Sequence, residues 1–186
     1  MARPVRMGTD PWQGRGEIHT LAPLSKGVRM SLSVGALAPD FTLADQDGQP
    51  FTLSAARGSW LVLYSYPKDN TPGCTQEAKD FSCLVKEFAQ AGAQVLGISP
   101  DKASSHRRFI AQQELELRLL CDEDHSMLEA WGAWGLKKFM GREYMGVVRS
   151  TWIVDPQGRV AALWSQVKVK EHAAEVLSRL TLLQQG

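Results

Sequence analysis

Tyr66-Pro67-Lys68-Asp69-Asn70-Thr71-Pro72-Gly73-Cys74-Thr75-Gln76-Glu77 lies between two segments of different periodicity. Before it, Trp60-Leu61-Val62-Leu63-Tyr64-Ser65-Tyr66 is almost continuously apolar, as a strand buried on both faces requires, and Pro67 ends the run. After it, Ala78, Phe81, Val85 and Phe88 recur at helical spacing until Gly92. The stretch therefore reads as a loop leading from a buried strand into an amphipathic helix, with Cys74 in the helix's first turn. Loops at the carboxyl ends of strands are where open α/β sheets bind ligands.

The remaining pattern supplies the rest of a sheet. Phe41-Thr42-Leu43 and Phe51-Thr52-Leu53 flank Asp45-Gln46-Asp47-Gly48, an N-terminal β-hairpin with an Asp/Gly turn. Val95-Leu96-Gly97-Ile98 and residues 117–120 are short buried strands separated by a helix over about 104–114. A helix around 127–131 precedes a loop rich in Gly and Lys. A second hairpin follows, pairing 147–154 with 159–164 across Asp155-Pro156-Gln157-Gly158, and a helix over about 170–183 closes the chain. This order predicts an α/β, thioredoxin-like fold: a mixed central sheet with helices on both faces. Residues 30–186 form that domain. Residues 1–29, rich in Arg, Gly and Pro, read as an N-terminal extension, disordered or upstream of a true start at Met30.

Composition bounds the function. The chain has 186 residues, 44% apolar and 22% charged, with a formal charge of +1, which suits one globular domain. Its basic pairs, Arg107-Arg108 and Lys137-Lys138, are short and have acidic neighbours, so no nucleic-acid partner is expected. No apolar run reaches membrane-spanning length. Three cysteines, at 74, 83 and 121, are too few for a disulfide framework and fit a reducing, cytoplasmic setting. Paired ligand spacing for zinc is absent, and so are the phosphate-loop and dinucleotide fingerprints, so no metal or cofactor is expected. Trp131 and Trp134 read as packing residues, and His106 and His125 as surface or turn residues.

Cys74 carries the chemistry. Free N–H groups and the positive end of the macrodipole at a helix start favour a thiolate, which is the nucleophilic form. Gly73 admits an unusual turn beside it, Pro67 and Pro72 stiffen the loop, and the Thr71 hydroxyl can donate to the sulfur or accept from a bound substrate.

Pro67-x-x-x-Thr71-x-x-Cys74 resembles the signature of the peroxiredoxins, and the fuller run from Tyr66 to Ala78 resembles their bacterioferritin comigratory protein (peroxiredoxin Q) branch. Leu120-Cys121-Asp122-Glu123-Asp124-His125, the run from Trp134 to Gly141 and the run from Arg149 to Asp155 are similar to that branch in order and spacing, so the likeness spans about residues 32–183. It implies a thiol peroxidase that reduces hydrogen peroxide and organic hydroperoxides through a Cys74 sulfenic acid. Pro67, Thr71 and Arg149 would complete the site, and Glu77 would orient Arg149. Many members carry a resolving cysteine five residues beyond the peroxidatic one, but here that position is Lys79. Cys83 lies about 13 Å along the same helix at ~1.5 Å per residue, and Cys121 ends a strand on the rim that carries the site. The leading expectation is that neither resolves the sulfenate and that an external thiol, glutathione or a thioredoxin-like protein, does so. The resemblance further implies a monomer or weak homodimer. The alternative reading is a non-enzymatic redox sensor or thioredoxin-like binding module. A dithiol oxidoreductase is disfavoured because Thr71 stands where a Cys-x-x-Cys pair would have its first thiol.

Overall fold

The computed structural model describes residues 32–186, and the expected N-terminal extension lies outside them. The sheet is built from β1 (Thr42–Asp45), β2 (Pro50–Thr52), β3 (Trp60–Ser65), β4 (Ala93–Ser99), β5 (Arg118–Cys121), β8 (Ser150–Val154) and β9 (Val160–Ser165), in spatial order β2-β1-β5-β4-β3-β8-β9. β3, β4 and β5 run parallel, while β1 pairs antiparallel with β5 and β8 antiparallel with β3. The sheet is therefore mixed and includes an N-terminal hairpin, as the sequence predicts, and the structure sets that hairpin at one edge.

β3 shows why the apolar run is nearly unbroken. Leu61 and Leu63 enter one buried cluster while Val62 and Tyr64 enter the other, so both sets of alternating side chains need apolar surroundings. On the Val62 side, the cluster takes in α1 (Pro72–Cys83), α2 (Val85–Gln90), α3 (Ala103–Gln113) and α5 (His172–Gln184) through Phe81, Phe88, Phe109 and Val176. On the Leu61 side, α4 (Ser126–Ala130), Trp131 and the chain from Leu32 to Leu53 close the other face. Trp131 is buried edge-on against Trp152, with ring centroids 5.2 Å apart, in the packing role expected of it.

Three elements depart from expectation. The helix expected to run through Val85 and Phe88 breaks at Leu84, whose backbone (φ −101°, ψ 5°) leaves helical geometry, giving α1 and α2. Nothing in Ser82-Cys83-Leu84-Val85 signals that break. The loop rich in Gly and Lys is instead a hairpin, β6 (Trp134–Phe139) and β7 (Arg142–Val147), standing apart from the main sheet. Its turn takes positive φ at both Met140 (48°) and Gly141 (78°), a geometry usually marked by Asn-Gly, and a methionine hides it. Finally, the strand expected over 147–154 is interrupted at Val148-Arg149, between β7 and β8. That interruption frees Arg149 from a strand ladder.

Candidate active site

β3 delivers the chain to the rim of the sheet, where Tyr66 N–H still bonds Ile98 O at 3.1 Å. Pro67, half-buried, turns it outward. The left-handed turn of the loop is made at Asn70 (φ 57°), a residue type that tolerates this region. Gly73 does not make it, contrary to expectation: it lies inside α1 without a positive φ. A Cβ there would meet Arg149 Nη2 at 3.7 Å, an ordinary contact distance, so Gly73 lies beside the guanidinium without being required by either backbone or space.

Thr71 is the N-cap of α1, with extended backbone (φ −90°, ψ 150°), and Pro72 occupies the first helical position, where its missing N–H costs nothing. The first backbone bond of the helix runs from Thr75 N–H to Thr71 O (2.8 Å), so the amides of Gly73 and Cys74 have no carbonyl one turn earlier. Cys74 thus sits in the first turn, 2% exposed. The Thr71 hydroxyl does not donate to the sulfur here. It donates to Lys68 O at 3.0 Å, which leaves its oxygen able to accept.

Arg149 reaches the site from the Val148-Arg149 interruption, and its backbone is tied on both sides. Val167 N–H donates to Arg149 O (3.0 Å), the Ser65 hydroxyl donates to Val148 O (3.1 Å), and Ser150 N–H donates back to Ser65 Oγ (3.1 Å). Its guanidinium then forks: Nη2 donates to Cys74 Sγ at 3.2 Å, and Nη1 donates to Glu77 Oε2. Glu77 is one helical turn beyond Cys74 and 1% exposed. Burial works against the charge on Arg149, but Glu77 and Cys74 beside it hold the guanidinium above its ordinary range. One permanent cation therefore faces both the sulfur and the carboxylate.

Burial dominates Glu77, raising its carboxyl to about 7, while the Arg149 charge pulls the other way. The folded protein thus binds that proton more tightly than the unfolded chain, whose carboxyl titrates near 4.5. Between pH 4.5 and about 7 the native state keeps a proton that the unfolded state has released, so this group makes stability fall as pH rises through that window. Glu77→Gln is expected to flatten that decline, which amounts to roughly 3 kcal/mol for a shift of this size. Melting curves at several pH values check it; an unchanged slope in the variant would place the proton elsewhere.

The other two cysteines differ from Cys74 in setting. Cys83 is exposed at the far end of α1, and the helix between it and Cys74 is unbroken, so a bond between them requires unwinding α1. Cys121 does end β5 on the expected rim. Its sulfur, however, lies 3.9 Å from Asp45 O on β1, the neighbour on the side away from β3. Burial, reinforced by Glu123, Asp69 and other carboxylates, pushes its thiol up to about 11.

The histidines correct the sequence reading. His106 is not a surface residue: it is fully buried on α3 and bonded to Asp69 of the loop that precedes α1. His172 is also buried at the start of α5, bonded to Thr151 Oγ1 at 2.8 Å and edge-on to Phe81 of α1. His125 does occupy a turn (φ 64°), with its ring stacked 3.8 Å from Trp134. Asp69 and His106 carry no sequence signal as a pair, since 37 positions separate them and only the β4–α3 crossover unites them.

This geometry has counterparts. Residues 34–163 match the family model described as AhpC/TSA family. Peroxiredoxin Bcp of Bacillus subtilis is 44% identical over 151 residues, covering 81% of this chain and 96% of that protein. Peroxiredoxin Bcp of Escherichia coli is 40% identical over 149 residues, covering 80% and 96%. Among solved structures, peroxiredoxin Q of Xanthomonas campestris superposes with a TM-score of 0.75 at 41% identity, covering 81% and 96%. A further structure of that organism's bacterioferritin comigratory protein, solved in work on its alkyl peroxide reduction activity, gives 0.75 at 40% over the same shares. The fold, the matched span and these identities together place the chain in the AhpC/TSA family, as a peroxiredoxin of the Bcp kind and hence a thiol-dependent peroxidase.

Proposed function

We propose that Cys74 is the peroxidatic nucleophile and that Arg149, Thr71, Pro67 and Glu77 form the site in which it reacts. The observation that carries this is the forked guanidinium, with Cys74 Sγ 3.2 Å from Arg149 Nη2 and Glu77 on the other nitrogen. The Cys74 thiolate attacks one oxygen of the hydroperoxide and the O–O bond breaks. The sulfur becomes a sulfenic acid, and the departing oxygen leaves with the bonding pair and takes up a proton as water or alcohol. Arg149 lies where negative charge moves from sulfur to oxygen, so its cation stabilises that charge as the O–O bond breaks. Thr71 presents an oxygen able to accept the peroxide's O–H, and Glu77 holds the fork in position.

Reduction then falls to an external thiol such as glutathione or a thioredoxin-like protein, which attacks the sulfenate to give a mixed disulfide and water. A second thiol releases Cys74. Two features support this one-cysteine cycle: the uninterrupted helix between Cys74 and Cys83, and the raised Cys121 thiol on the side of β5 away from β3. Hydrogen peroxide and organic hydroperoxides are the proposed substrates, a monomer or weak homodimer the proposed state, and the cytoplasm the proposed compartment. Among the described residues, no helix is long and apolar enough to cross a membrane.

Peptide mass spectrometry after one equivalent of peroxide tests the cycle. Trappable sulfenate at Cys74, with no Cys74–Cys83 or Cys74–Cys121 disulfide, is the expected product. Either disulfide in appreciable yield would replace the one-cysteine cycle with an internal one.

A further inference from the structure

Beneath the loop that leads into α1 lies a polar centre that the proposed chemistry does not use. Asp69 is 5% exposed, and Tyr66 and His106 are fully buried. The Tyr66 hydroxyl donates to Asp69 Oδ1 at 2.8 Å, and Asp69 Oδ2 lies 2.9 Å from His106 Nδ1. On its far side, His106 Nε2 is 3.2 Å from Leu120 O on β5. A carbonyl can only accept, so Nε2 carries a hydrogen and the contact at Nδ1 shares a single proton with the carboxyl. The backbone N–H of Asp69 is also held, donating to Asp101 Oδ2 at 2.8 Å, and that oxygen accepts from the Ser99 hydroxyl at 2.9 Å.

One loop residue is thus fastened from Tyr66 just beyond β3, from the turn before α3, and through His106 from α3 and β5. What it controls follows from its place in the chain. Asp69 lies between Lys68, whose carbonyl accepts the Thr71 hydroxyl, and Asn70, which makes the left-handed turn into α1. Fixing Asp69 fixes the peptide on which Thr71 is oriented and the direction from which the first turn of α1 begins. Burial works against the Asp69 carboxylate, but the hydrogen bond and charge of His106 outweigh it and hold the carboxyl below its usual range. The contact is therefore charge-assisted and directional, well suited to locating a loop.

We propose that His106 is a positioning residue for the peroxide reaction: through Asp69 it holds loop 67–71 where Thr71 and the first turn of α1 engage the hydroperoxide, without itself touching the reacting atoms. This rests on Cys74 being the nucleophile. Loop misplacement of about 1 Å can cost on the order of 100-fold in rate even when the altered residue is remote from the chemistry.

Two substitutions separate the ends of the histidine. In His106→Gln the amide nitrogen can replace Nε2 toward Leu120 O, but nothing replaces Nδ1. In His106→Asn the amide nitrogen can replace Nδ1 toward Asp69, and the Leu120 contact is lost. The rate of Cys74 oxidation by hydrogen peroxide, read by rapid quench and sulfenate trapping, is expected to fall about 10- to 100-fold in His106→Gln and to stay within about threefold of wild type in His106→Asn. Alkylation of Cys74 by iodoacetamide, which needs the thiolate but no aligned peroxide, should not fall in either variant. Leu53→Ala, a core substitution on the opposite face of the sheet, should lower the melting temperature without slowing oxidation.

Should His106→Gln fail to fold, Asp69→Ala removes the loop's end of the contact and carries the same prediction. Wild-type oxidation in His106→Gln, an equal loss in His106→Asn, or a matching fall in oxidation and alkylation would overturn the proposal. Peroxide turnover persisting in Cys74→Ser would instead remove the nucleophile assignment, whatever the His106 variants do.

Discussion

Cys74→Ser is expected to reduce peroxide consumption to the uncatalysed background, a loss of about 10⁴-fold or more, in a protein that is otherwise folded. Serine matches cysteine in shape but not in chemistry. Its hydroxyl is not ionised near neutral pH, and oxygen is a far poorer nucleophile toward an O–O bond than a thiolate. The fold should tolerate the change, because the buried serine oxygen can still accept from Arg149 Nη2, as the sulfur does at 3.2 Å. A melting temperature close to wild type therefore separates lost chemistry from lost structure. Cys83→Ser and Cys121→Ser should leave the first oxidation at Cys74 intact, since Cys83 is exposed at the other end of α1 and the Cys121 thiol is pushed up to about 11. Peroxide loss followed with each variant and a thiol reductant checks all three, and full activity without Cys74 would refute its assignment.

The sequence made Cys74 legible because strand, loop and helix each leave a local signature, and a helix start beside a buried strand confines a side chain to the sheet rim. Arg149 was recoverable through the motif likeness, but its geometry was not. The 147–154 run reads as one strand, whereas the chain leaves the ladder at Val148-Arg149, and that local irregularity is what lets the guanidinium reach the sulfur. The fork to Glu77 depends on contact between α1 and this interruption, 72 residues apart, and periodicity carries no information about such contacts. His106 shows the same limit more sharply. On α3, a histidine among Ser104, Ser105, Arg107 and Arg108 looks solvated, yet it faces Tyr66 and Asp69 and its far nitrogen meets Leu120 O on β5. The β6–β7 hairpin is hidden for a different reason: its left-handed turn pairs Gly141 with Met140, whose side chain gives no turn signal.

Arg149→Ala is expected to slow Cys74 oxidation by about 10²- to 10³-fold, the scale of losing one preorganised donor to a developing charge. Arg149→Lys should recover only part of this. An ammonium is a single point of charge and cannot reproduce a planar fork with one nitrogen on Cys74 Sγ and the other on Glu77. The same substitution has a second cost, distinct from catalysis. Glu77 is 1% exposed, its Oε1 has no hydrogen-bond partner, and without Arg149 its charge would be buried alone. Breaking such a pair from one side costs about 3–5 kcal/mol when the remaining charge persists. The carboxyl, already raised to about 7, will instead take up a proton more readily, so the penalty should shrink as pH is lowered. The double variant Arg149→Ala/Glu77→Gln separates the two effects. It should recover much of the lost stability, because no charge is left unpaired, and none of the lost oxidation rate, because the sulfur still lacks its cation. Denaturant unfolding and single-turnover oxidation on the same preparations read the two quantities independently. A double variant that regained speed along with stability would mean that Arg149 acts on the fold and not on the reacting sulfur.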